Sequence, residues 1–141
     1  MGKMPELSAE FATFLERLNE MRTQRPDAEE ALAELEGLFQ RSLVRYSVHM
    51  LDTLDFHHMA EDIAAGHLSP RYVPVLRSAA SVLSATPWPE GLRWIAQSLR
   101  ENVVELERAL VENREREAEA SSHEVHEQEH RLAHEAREWL S

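Results

Sequence analysis

The stretch LFQRSLVRYSVHMLDTLDFHHM, residues 38–59, decides the fold class. Leu38, Phe39, Leu43, Val44, Tyr46, Val48, Met50, Leu51, Leu54, Phe56 and Met59 cannot share one stripe of a helix, and the stretch holds neither proline nor glycine. A helix that is apolar on every side is normally buried on every side. The reading is therefore a central helix from about Asp27 to Ala65, with Ala28, Ala31, Leu32 and Leu35 as a narrower face at its start. Pro26, and Asp27 three residues before Glu30, form a capping-box-like opening in which side chains satisfy free amides at the helix end.

Outward from this element, the rare prolines and glycines punctuate further helices. Upstream, Glu6 to Thr23 carries Leu7, Phe11, Phe14, Leu18 and Met21 at alternating spacings of four and three, one packing stripe. Downstream, Ser69-Pro70 reads as a cap followed by a first-turn proline, and Tyr72, Val73, Leu76, Ala80 and Leu83 face the core, with a bend expected at Pro74. Thr86-Pro87 repeats that device, and Trp88-Pro89 makes a tight corner. Leu92, Ala96, Leu99, Val103, Leu106 and Leu110 then give a second four-three stripe that stops at Asn113. Residues 114–122 are charged or small, which suits a solvated helix or a break. From His123 to Leu140 only Val125, Leu132, Ala136 and Trp139 form an apolar stripe, so thin contact is expected there. The predicted fold is all-α, an antiparallel helix bundle of four to five helices around the buried central helix. Residues 1–141 form one domain, 114–141 being a polar, His-rich C-terminal helix loosely docked on it, and the heptad faces suit dimerisation.

Composition narrows the function classes. Asp and Glu number 26 against 15 Lys and Arg, a formal charge of −11. Such a field repels phosphate backbones and anionic lipid, so nucleic acid is not an expected partner. There is no cysteine, which excludes disulfides, thiolate metal sites and cysteine nucleophiles and makes a reducing, cytoplasmic setting the default. MGKMPELS lacks the apolar run of a signal peptide, and no window has the roughly 18 continuous apolar residues of a membrane span. Ser42, Ser47, Ser78, Ser81 and Ser98 fall within helices without a strained nucleophile turn, so serine hydrolysis has no local support and the chain reads as a non-enzyme.

The chemically pointed feature is the set of eight histidines. His123, His126, His130 and His134 lie within about 80° of one another on a helix. Imidazoles one turn apart are able to share zinc, nickel or copper, with Glu119 or Glu127 as a further ligand. The apolar stripe of the same segment points nearly opposite, which favours a solvated surface. A pH-responsive or partner-binding stripe is the third reading, because imidazoles titrate near neutrality. The other group holds His49, His57, His58 and His67; His57 with Glu61, and His58 with Asp62, are one-turn pairs. With His126 and His130 they are similar to the hemerythrin-like di-iron ligand set, although that family places its second pair soon after the first. A ferritin-like iron site needs Glu-x2-His on two helices, and only Glu127 with His130 supplies it. The candidate metal ligands are thus His57, His58, Glu61, Asp62, His123, His126, His130 and His134, for Zn, Ni, Cu or Fe. Ordinary helix pairs and interface histidines are the competing reading.

The run RYSVHMLDTLDFHHMAEDIA, with GHLSPRYVPVL after it, resembles the junction between two helical hairpins of PhoU-like domains. The matching positions are Leu51, Asp52, Leu54, Asp62, Ile63, Ala64, Gly66, Leu68 and Ser69, and VVELERALVENREREAEASSHEVHEQEH is similar in rhythm to the second hairpin. That family's Glu/Asp-x3-Asp metal motif is absent, so its metal role does not carry over. The resemblance implies a regulatory bundle that binds a protein partner and is attached to a membrane transporter without entering the membrane itself. The leading expectation is a non-enzymatic, homo-oligomeric interaction module. The alternatives are a metal-binding bundle and a hydrophobic small-molecule binder with its pocket among Tyr46, Met50, Phe56, Met59 and the tryptophans.

Overall fold

The computed structural model describes residues 4–141, with side chains from Ala9 onward other than that of Phe11; the expected stripe members Leu7 and Phe11 lie outside the described side chains. The described residues contain no strand: a 3-10 turn at Pro26–Ala28 and six α-helices account for the regular structure. These are α1 (Met4–Gln24), α2 (Glu29–Thr53), α3 (Phe56–Ala64), α4 (Tyr72–Ala85), α5 (Glu90–Val111) and α6 (Glu115–Leu140). Five are of 14 residues or more and α3 has nine.

The stretch expected as one helix from Asp27 to Ala65 is broken. Asp55 adopts a left-handed conformation, φ 55°, and its side chain accepts a bond from the backbone N–H of His58, so it ends one helical path and caps the next. Short acidic side chains tolerate this conformation better than most, and the cap supplies a partner for a free amide. Nor is the stretch buried on every side. Val44, Ser47, Val48 and Leu51 of α2 and Phe56, Met59 and Ile63 of α3 are inside, whereas Leu38 is 56% exposed and Leu35 and Tyr46 nearly half so. Two apolar faces exist because α2 and α3 point different sides of the chain at the core.

Helix ends also differ from expectation. Asp27 lies in the 3-10 turn paired with Arg25, and α2 starts at Glu29 with no side-chain cap bond. The Ser69 hydroxyl accepts from the Arg71 N–H ahead of a helix that begins only at Tyr72. Pro74 is therefore in the first turn, where a missing N–H has no intrahelical acceptor to lose. Thr86 follows the end of α4 and does not cap α5; its hydroxyl donates to the Val82 carbonyl at 2.6 Å and meets the buried Ser47 hydroxyl of α2 at 2.6 Å. Trp88 makes the expected corner, with its indole N–H on the Leu83 carbonyl at 2.9 Å. Gly66 (φ 87°) after α3 and Asn113 (φ 55°) after α5 close their helices with paired backbone bonds, His67 N–H to Asp62 and Arg114 N–H to Ala109 among them. Both are residues that accept a left-handed backbone.

The core is organised around α5, whose expected stripe of Leu92, Ala96, Leu99, Val103, Leu106 and Leu110 is buried together with Ile95 and Ala109. This helix packs against α4 and α6, α6 packs also against α3 and α2, and α1 lies on α4 and α2. The thin contact expected of the C-terminal segment is replaced by a continuous α6 that buries Ala118, Ser122, Val125, Glu129, Leu132, Ala133 and Ala136. Small residues at Ala118 and Ser122 let the helices approach closely, so the charged-looking stretch 114–122 still has an inner face. No helix among the described residues is long and apolar enough to cross a membrane.

Candidate functional site

Two polar clusters meet α6, one from α3 and one from α2. Along the α3 seam, His57 and His126 have ring centroids 5.0 Å apart, and His126 and His130 are again 5.0 Å apart, edge to face. The His57 Nε2 is 3.0 Å from Glu61 Oε1, a bond along the surface of α3. His126 is half-buried, and its Nε2 is buried without a hydrogen-bond partner. Burial first, and then the neighbouring His130, His57 and His123, push the His126 pKa below its usual value. Both effects disfavour a second proton on the ring.

The candidate ligands divide accordingly. His57, His126 and His130 are brought together, with Glu61 on His57. His123 pairs with Glu127 at 3.4 Å one turn away on α6, and beside it a groove of about 530 Å³ runs between Ala60, Ala64 and Arg116. His58 and Asp62 form a separate pair at 3.6 Å. Asp62 accepts from the Tyr72 hydroxyl, which holds the Asp62 carboxylate below its ordinary pKa with further help from His58. Burial and that same carboxylate raise the phenol of Tyr72. His134 is exposed on the outer side of α6. Among the described residues, no group of three or more histidine, aspartate or glutamate side chains is placed, as it stands, to hold a metal ion.

The second cluster was not anticipated from sequence. Glu129 is buried at 8% exposure, and burial followed by the adjacent Asp52 carboxyl, which hydrogen-bonds it, pushes its pKa up to about 8. Arg137 ties to Asp52 at 3.1 Å, and Arg41 of α2 donates to the carbonyls of Trp139 and Leu140 at the end of α6. Together they clasp α2 to α6. The available signal was positional: Glu129 falls between Val125 and Leu132 on the four-three series that begins at Ala118.

The residues expected to line an apolar ligand pocket fall in different surroundings. Phe56 and Met59 are core, Tyr46 and Trp94 are about half exposed, and Trp88 instead borders an open groove of about 600 Å³ with Gln40, Arg93 and Arg100. Arg131 covers the Trp94 ring at 4.6 Å. No protein-family model matches the chain, and no curated protein or solved structure matches it.

Proposed function

We propose that this chain is a non-enzymatic helical interaction module that assembles with a second copy through the outer face of α2. The supporting observation is the composition of that face. Within about 80° of Leu38 around the helix lie Glu30, Glu34, Leu35, Arg45, Tyr46 and His49, all of them exposed. Acids begin the row, apolar side chains follow, and the basic Arg45 and His49 come after them, with the last acid of the face, Asp52, already tied to Arg137 of α6. A two-fold axis across α2 lays the acidic end of one copy against the basic end of the other and covers Leu38 and Tyr46, which is the self-complementarity of an isologous dimer. An exposed apolar patch rimmed by polar groups suits an interaction surface.

The α5 stripe has no part in this assembly, because it is buried within the chain. In this reading the helices run antiparallel, which short connections such as that between α5 and α6 favour. The resemblance to PhoU-like domains supports a regulatory role and makes a membrane transporter the second partner to test. A reducing, cytoplasmic setting suits a chain without cysteine.

Light scattering after size exclusion, over a concentration series, tests the reading. The expected result is a dimer, converted to a monomer of unchanged helicity by Leu38→Glu. A monodisperse monomer at every concentration overturns it, as does a dimer indifferent to both Leu38→Glu and Tyr46→Glu.

A further inference from the structure

Two imidazoles that share a tetrahedral ion, each with its nitrogen about 2.0–2.1 Å from the metal, have ring centroids on the order of 5 Å apart. The rings of His57 and His126, and those of His126 and His130, already stand at that spacing, 5.0 Å for each pair with His126 common to both. Three further features suit an ion there. The His126 Nε2 is buried with no hydrogen-bond partner, a condition that buried polar atoms rarely keep. His57 has Nε2 directed at Glu61 Oε1; with the proton on that nitrogen, the lone pair is on Nδ1. A carboxylate behind a ligating imidazole fixes its tautomer and strengthens it as a donor. Finally, the His57 side chain is 67% exposed and His130 is exposed too, so both rings turn into place with little repacking.

We infer that His57, His126 and His130 form a site for one late first-row divalent transition ion, zinc, nickel or copper, which clamps α3 to α6. Water completes the coordination, and Glu61 acts behind His57. Imidazole nitrogen suits these ions, whereas calcium and magnesium prefer oxygen. The site is separate from the outer face of α2 and does not depend on the dimer.

The test is calorimetric titration of tag-free, chelator-treated protein with zinc chloride alone, repeated with nickel chloride. Saturable binding of one ion per chain is expected, with a dissociation constant near micromolar and a rise in melting temperature that grows with ion concentration. His57→Gln and His126→Gln should each weaken binding by roughly tenfold or more, while His58→Gln and His134→Gln leave it unchanged. Circular dichroism of each variant separates loss of a ligand from loss of fold, and His57, being on the surface, is the safer of the two. Absence of saturable binding overturns the site. So does binding that survives His57→Gln in a folded protein, since the ion would then belong to the α6 histidines alone.

Discussion

Glu129 occupies a position on α6 that its spacing reserves for an apolar side chain, and it stays there by sharing a proton with Asp52. Its folded-state pKa is raised from 4.5 to about 8, so the stability it contributes is fully present below about pH 4.5 and is lost as pH rises toward 8. Glu129→Gln should therefore match the parent near pH 5 and exceed it by about 1–3 kcal/mol at pH 9, read from thermal melts at the two pH values. His126 has the opposite sign. Its pKa is lowered from 6.5, so the folded state resists protonation and stability falls as pH drops below that value. The Ser47 and Thr86 hydroxyls give a second residue-scale test. Thr86 donates its proton to Val82, so Ser47 must donate to Thr86. Thr86→Val strands a fully buried Ser47 hydroxyl and should cost about 1–3 kcal/mol, against about 1 kcal/mol for Ser47→Ala, measured by urea denaturation.

At the scale of elements, the decisive event is the break between α2 and α3. The apolar pattern from Leu38 to Met59 hides it, because two helices with differently aimed inner faces leave the same record as one helix buried all round. Asp55 carries the break through a left-handed backbone and a cap on His58. Asp55→Ala removes the cap and with it the short polar side chain that makes a left-handed backbone tolerable, so a loss of about 1–2 kcal/mol is expected. Asp55→Asn should be nearly neutral, and urea midpoints for the pair decide the matter. The α5 stripe was legible because six apolar residues at four-three spacing have one solution. The inner face of α6 was not, since Ala118 and Ser122 carry little hydrophobic signal and Glu129 carries the wrong one.

For the whole molecule, the α3–α6 seam and the outer face of α2 involve different residues on separate surfaces. Distant sites that share no partner act additively. Leu38→Glu should consequently leave zinc affinity within about twofold of the parent, and His57→Gln should leave the dimer intact in light scattering. Coupling between the two measurements would mean that the second chain reaches the histidines.

The sequence by itself determined that the chain is helical, that α5 has one inner stripe, and that four histidines line one side of α6. Those are properties of periodicity within a single segment. Only the tertiary structure decided that His57 of α3 meets His126, that Asp62, with His58 beside it, accepts from Tyr72, and that Glu129 faces Asp52. Contacts between helices depend on where each one ends and how it rotates about its axis. Here one left-handed residue, Asp55, sets the course of α3, and no spacing rule within a segment records it.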